Sequence, residues 1–223
     1  MTLEVRTVSG VLFDVDGTLV DTNYLHTLAW ARAIRDVGEW APMHAIHRLV
    51  GMGGDQLIDR LFGRQLPGVS RARGRRYHEL IGEARPFPNA VDALRRVHDL
   101  GIKVVLASSS PRDELELMRR LLDADEHIDT TTSADDVEHA KPSPDVFRVA
   151  VEASGVEPDR TLVVGDSVWD VQAARAAGLG CVGVESGGFS AHELREEGAI
   201  AVYRDVSELR AQVLTGPLAN LVP

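Results

Sequence analysis

Short continuous runs of β-branched and aliphatic residues alternate along the chain with stretches in which apolar positions recur every three or four residues. The runs at residues 11–15, 104–107, 128–132, 161–164 and 181–184 are strand-length, and residues 199–203 add another. Continuous rather than alternating hydrophobicity means strands buried on both faces. Between the runs, Val91, Leu94 and Val97 share one helical face, as do Leu115, Met118 and Leu122. Ser143 followed by Pro144 offers a cap and a first-turn proline for a helix carrying Phe147 and Ala150. Strand and helix in alternation predict an α/β fold: a doubly wound, mostly parallel sheet with helices on both faces.

Residues 22–86 break that rhythm. Tyr24, Leu28, Ala31 and Ile34 fall at helical spacing, followed by Met43, Ile46 and Val50, then Leu57, Ile58, Leu61 and Phe62, with no strand pattern among them. Glycine and proline clusters at GMGG, LPG and RPFPNA punctuate the interval, the last reading as a return hinge. The pattern predicts an all-helical insert over residues 22–86, carried by a core made of residues 1–21 and 87–223.

Composition narrows what such a molecule does. With 223 residues and 44% hydrophobic content the chain is long enough for one full core and an appendage. A formal charge of −10 argues against nucleic acid as a partner, so an anionic ligand must meet a local reversal of sign. No apolar run approaches a membrane span and no basic segment leads into an apolar one at the start, so a cytoplasmic protein with no membrane partner is expected. The single cysteine, Cys181, has no partner for a disulfide or a metal site and reads as core. The dense basic run RARGRR, residues 71–76, reads as a solvated helix face, its sharper alternative being a place beside an anionic substrate.

The candidate chemistry lies where the strands end. In open α/β sheets ligands collect beyond the carboxyl ends of the strands. The run VLFDVDGT puts Asp14 and Asp16 there, two residues apart, with Gly17 free to turn the chain. The run at 104–107 leads into Ser108, Ser109 and Ser110, whose hydroxyls and amides at a helix start suit a phosphate. That at 161–164 leads into Gly165 and Asp166, with Asp170 one helical turn on, making a second acidic cluster. Of 24 basic residues only Lys103 and Lys141 are lysines. A compact ammonium in HAKPSPD can neutralise carboxylates and a phosphoryl oxygen together, whereas Lys103 at a strand entrance is expected in solvent.

These four segments in this order resemble the haloacid dehalogenase superfamily of phosphohydrolases, over residues 8–213. The motifs are D-x-D-G-T at residues 14–18, Ser108 after its strand, Lys141 followed by Pro142, and GDSVWD at residues 165–170. The insert is similar to that superfamily's first type of mobile cap. Asp21, His26 and Trp30 in DTNYLHTLAW stand at the offsets of the β-phosphoglucomutase and sugar-phosphatase subgroup. The resemblance implies a Mg²⁺-dependent phosphatase of a small phosphorylated metabolite, with a phosphomutase as the runner-up. It implies Asp14 as nucleophile, Asp16 as acid and base, and Ser108, Ser109 and Lys141 as phosphate contacts. The implied metal ligands are the Asp14 carboxylate, the Asp16 carbonyl and Asp166, with Asp170 binding the metal or orienting Lys141. His26 lies near the acid/base aspartate in related proteins, and residues 51–54, from Gly51 to Gly54, resemble the cap's substrate loop. Mutases place an arginine at the position of Gly54 to grip a second phosphate, and Glu79 falls near another cationic cap position. That departure favours the phosphatase. A mutase would need another grip, such as Arg48 or Arg60. The sequence specifies no oligomeric state.

Overall fold

A computed structural model describes residues 9–212 of the chain. In chain order the elements are β1 (Gly10–Phe13), β2 (Val20–Asp21), α1 (Asn23–Asp36), α2 (Met43–His47), α3 (Gly54–Phe62), α4 (Val69–His78), β3 (Arg85–Pro86), α5 (Ala90–Asp99), β4 (Lys103–Ala107), α6 (Arg112–Leu122), β5 (Thr130–Thr132), α7 (Asp145–Ser154), β6 (Thr161–Gly165), α8 (Val168–Ala177), β7 (Gly180–Val184), α9 (Ala191–Glu197), β8 (Ala201–Tyr203) and α10 (Val206–Gln212).

Six strands form one sheet in the order β5-β4-β1-β6-β7-β8, every neighbouring pair parallel. From β1 the chain winds outward through β4 to β5, then crosses back to build β6, β7 and β8. The winding therefore reverses beside β1, where a crevice opens at the strand ends. Alternate side chains of the strands feed two cores. Leu12, Val105, Val163 and Cys181 pack with α7, α8 and α9 on one face, while Val11, Phe13, Val104, Leu106 and Val164 pack with α5, α6 and α10 on the other. Cys181 is a buried free thiol in this core.

The strands are trimmed relative to their apolar runs for local reasons. β1 stops at Phe13 because the chain turns next: Gly17, at φ 75°, donates its N–H to the Val20 carbonyl, and Leu19 N–H bonds Val15. β5 and β8 begin late because the amides of Ile128 and Ala199 close the preceding turns onto Asp125 and Leu194. α7 starts at Asp145 with Pro144 as its N-cap and without a side-chain cap, so Ser143 does not serve as one. Lys103 is exposed, as expected. Its ammonium donates to the Ser154 carbonyl at 2.6 Å, at the carboxyl end of α7 where the helix dipole favours a cation.

Helices α1 to α4 follow one another between β2 and β3, which pair antiparallel through Val20 with Pro86 and Asp21 with Arg85. A two-residue ribbon is too short for alternation to show, so the sequence pattern gave no sign of it. α1 packs against α4 around Ile34, Ile46, Leu57, Ile58 and Tyr77, all fully buried. The buried stripe of α1 runs through Asn23, His26, Trp30 and Ile34. Tyr24, expected inside, is 66% exposed and stacks on His47. The reason is that α1 turns polar residues toward the acids at the end of β1, which rotates its apolar stripe away from Tyr24.

Candidate active site

The floor of the site is built by the turns that follow β1 and β6. Asp14 is 5% exposed and its N–H is tied to Val164 O, holding it at the sheet's centre. Lys141 enters from the loop before α7 and is fully buried. Its Nζ lies 2.5 Å from Asp14 Oδ1 and 2.7 Å from Asp170 Oδ1. Asp170 reaches that place as the third residue of α8, where its Oδ2 accepts from the Ser167 N–H and hydroxyl in a reciprocal cap. Asp166 accepts from Thr18 Oγ1 at 3.1 Å and Asn23 Nδ2 at 2.8 Å. Gly17 makes this approach possible, since a Cβ there would stand 2.5 Å from Asp166 Oδ2.

Asp14, Asp166 and Asp170 each offer an oxygen within 4.8 Å of the others. Burial and the neighbouring carboxylates raise the Asp14 carboxyl well above its ordinary value, although Lys141 pulls the other way. Burial and the Asp170 charge push Asp166 up to about 7. Burial alone would lower Lys141, but Asp14 and Asp170 outweigh it and hold the ammonium firmly protonated. One lysine therefore faces three buried acids, an excess of negative charge that a hard, oxygen-seeking divalent cation fits.

The roof comes from α1 and α4. Burial would raise the Asp16 carboxyl, yet the His26 ring and the bonds from His26, Thr22 and Ser110 hold it well below the usual carboxylate range. His26 Nε2 and Thr22 Oγ1 both stand 2.6 Å from Asp16 Oδ1, and Ser110 Oγ donates to Oδ2 at 2.7 Å. The other ring nitrogen, Nδ1, is met by Arg73 Nη2. A guanidinium only donates, so Nδ1 accepts and Nε2 carries the hydrogen toward Asp16. Arg73 Nη1 in turn lies 2.5 Å from Glu114 Oε1 on α6. The ring of Tyr77 stacks on His26 at 4.1 Å and backs Arg73 at 4.8 Å.

These groups enclose a chamber of about 60 Å³ lined by Asp14, Asp16, His26, Trp30, Val50, Gly51, Met52, Arg73, Ser109, Ser110 and Lys141. It borders an open cleft of about 530 Å³ that shares Trp30, Met52, Arg73 and Ser109 and continues past Gly54, Asp55, Glu138 and His139. The fold thus brings together Asp14, Asp16, His26, Gly51, Ser109 and Lys141 around one small volume, with Asp166 and Asp170 against Asp14 and Lys141. Ser108 does not line the chamber. It is fully buried and its Oγ accepts from the Ser110 N–H, while the Ser109 hydroxyl is buried without a partner. Gly51, at φ 98°, lets its loop lie against the GDSVWD segment, where a Cβ would stand 3.2 Å from Ser167 Oγ. Gly54 lines only the outer cleft and abuts Trp30.

A buried aspartate at the end of the central strand, a lysine bridging two acids and a second aspartate two residues on are accompanied by an extended sequence match. The haloacid dehalogenase-like hydrolase family matches residues 8–178. The chain belongs to that family. Among the family's members, it is 30% identical over 211 residues to the phosphorylated carbohydrates phosphatase of Thermotoga maritima, covering 88% of this chain and 94% of that protein. A hydrolase from Pseudomonas syringae superposes with a TM-score of 0.86 at 31% identity, over 92% of this chain and 97% of that one. CbbY from Rhodobacter sphaeroides in complex with xylulose-(1,5)bisphosphate gives 0.78 at 28%, over 97% and 100%.

Within this haloacid dehalogenase-like site, several residues take parts that the sequence did not assign to them. Thr18, Thr22 and Asn23 orient the acids, Ser110 holds Asp16, and Arg73 faces the chamber. Arg73 lies in the basic run at 71–76, whose other members do behave as solvated residues: Arg71 and Arg75 are exposed, and Arg76 pairs with Asp36 and Glu79. Glu79 therefore lies outside the chamber, and among the described arginines it is Arg73 that lines it. The helical phase, with Arg73 four residues before the buried Tyr77, is the signal that would have found it. Arg48 and Arg60 are likewise turned elsewhere, onto Glu193 and Phe189 and onto Trp169.

Proposed function

We propose that the chain is a metal-dependent phosphatase that hydrolyses a small phosphorylated metabolite, a sugar phosphate or a similar monoester, through phosphorylation of Asp14. The observation that carries this reading is the pairing of Asp14 with Lys141 at the floor of the chamber, with Asp16 held opposite by cap residues. Asp14 Oδ2 is left to attack phosphorus in line, while Lys141 fixes Oδ1 and neutralises part of the charge. Asp14 and Asp166, with the Asp16 carbonyl, are the groups suited to hold Mg²⁺, and Asp170 acts by orienting Lys141. The cation supplies the positive charge that offsets repulsion between the nucleophile and a phosphate dianion. Ser109 and the amides at the start of α6 receive phosphate oxygens.

Asp16 gives a proton to the leaving oxygen and later takes one from the attacking water. Three donors hold it ionised, which favours the second task, so esters whose alcohols leave without a proton are expected to react fastest. The helical unit acts as the cap that excludes water. The relative from Thermotoga maritima, by its name a phosphatase of phosphorylated carbohydrates, supports a sugar-sized ester.

The mutase alternative lacks a residue to carry it. A bisphosphate intermediate needs a free cation over its distal phosphate, and Gly54 supplies none. Turnover of p-nitrophenyl phosphate tests the reading. Phosphate release that needs added Mg²⁺ and stops with a chelator is the expected result. Absence of phosphate release, or isomerisation of β-glucose 1-phosphate to glucose 6-phosphate with little free phosphate, would overturn it.

A further inference from the structure

Among the described residues, both the lysine and the arginine that line the chamber are already paired. Lys141 is taken by Asp14 and Asp170, and Arg73 by Glu114. Among the described residues, Arg73 is the sole arginine or lysine lining the outer cleft, whose wall also carries Asp55 and Glu138. The partner of Arg73 is unusual for a first-turn helix acid. The Glu114 side chain is 3% exposed, and its Oε2 is buried with no hydrogen-bond partner, as is Arg73 Nε. A fully desolvated carboxylate on the core helix α6 thus meets the guanidinium of the cap helix α4 at the boundary between chamber and cleft. Had the site needed Arg73 as a free cation, that carboxylate would work against it.

We propose that Glu114 is a specificity-determining residue: by cancelling the charge of Arg73 it makes the cleft select phosphomonoesters with an uncharged, hydroxylated leaving group over those bearing a carboxylate or a second phosphate. This rests on the phosphatase reading above and adds the charge class of the leaving group. The cation needed by the reacting phosphate comes from the floor of the site. The leaving group lies outward, where Arg73 and Glu114 sum to zero and Asp55 and Glu138 repel an anion. Trp30 adds an apolar wall shared by the two volumes, suited to the C–H face of a polyol.

The test uses two esters of one size, glycerol 3-phosphate and 3-phosphoglycerate, which differ by CH₂OH against a carboxylate. Each competes against p-nitrophenyl phosphate turnover, so that slow substrates are ranked too. The wild-type chain is expected to bind glycerol 3-phosphate at least about tenfold more tightly. Glu114→Gln keeps the shape and frees the Arg73 charge. Whatever its absolute p-nitrophenyl phosphate turnover, it is expected to shift the ratio of the two esters at least about tenfold toward 3-phosphoglycerate. Equal inhibition by both esters in the wild type, inhibition by neither, or a Glu114→Gln variant that loses all substrates alike would overturn the proposal. The last result would make Glu114 a purely structural anchor of Arg73. If Glu114→Gln does not fold, Glu114→Met, which keeps the volume and frees the same Arg73 charge, is read for the same shift. A wild-type chain that leaves p-nitrophenyl phosphate intact refutes the phosphatase reading itself, a failure distinct from a wrong ratio.

Discussion

The floor and the roof of the chamber are built on different principles. The floor acids come from strand ends and the first turn of α8, where the backbone is fixed by the sheet, and Lys141 from the loop before α7 is pinned between two of them. Asp14, Lys141, Asp166 and Asp170 are at most 5% exposed. The roof is a relay of side chains from Asp16 through His26 and Arg73 to Glu114, running from the end of β1 across α1 and α4 to α6. A floor of this kind holds one reaction geometry. A roof of this kind can open and be retuned, since one substitution changes the charge it shows to the leaving group without touching the nucleophile.

The largest expected effect separates chemistry from scaffold. Asp14→Asn removes the attacking charge while keeping a shape that Lys141 still accepts as a bond partner. Phosphate release should fall by about a thousandfold or more, with the circular dichroism spectrum unchanged. Measured turnover within tenfold of wild type would place the nucleophile elsewhere. Next in size is Lys141→Met, which leaves buried acids facing one another without their cation. In metal-free buffer it should cost about 3–5 kcal/mol of stability in urea unfolding. A loss under 1 kcal/mol would mean that the acids neutralise themselves by protonation.

Metal and pH probe the same cluster. Asp166, raised to about 7 by burial and the Asp170 charge, binds a proton in the folded chain that the unfolded chain has already lost. Its contribution to stability therefore falls as pH rises from about 4 toward about 7, then levels off. Mg²⁺ should bind the ionised cluster and relieve that cost. The rise in Tm on adding Mg²⁺ is expected to be larger at about pH 8 than at about pH 5.5. An equal rise at both would mean that Asp166 does not titrate in this range. The smallest effect belongs to the roof: Gly51→Ala strains a backbone at φ 98° and presses a methyl on Ser167, costing about 1–2 kcal/mol. KM should rise about fivefold, with a smaller change in kcat.

The same contrast explains what could be read from the sequence. The floor acids follow apolar strands and the floor lysine is one of only two in the chain, so VLFD, VVGD and the lysine of HAKPSP stand out against their surroundings. Roof residues carry no such marker. Arg73 is one of four arginines in six positions, and only its phase relative to Tyr77 turns it inward. Glu114 follows Asp113 at a helix start where acids are ordinary, and only its contact with another layer makes it unusual. Of three consecutive serines, the sequence assigned Ser108 and Ser109 to the phosphate, and the turn into α6 presents Ser109 and Ser110 to the chamber. The β2–β3 ribbon was hidden because two residues cannot show alternation.

The most direct test of the central claim is chemical trapping of the phosphorylated chain. Acid quenching during turnover of p-nitrophenyl phosphate, followed by borohydride reduction, converts an aspartyl phosphate to homoserine. The account predicts homoserine at position 14, found by peptide mass spectrometry and absent without substrate. Rapid phosphate release with an unmodified Asp14, or with the label at another carboxylate, would contradict it.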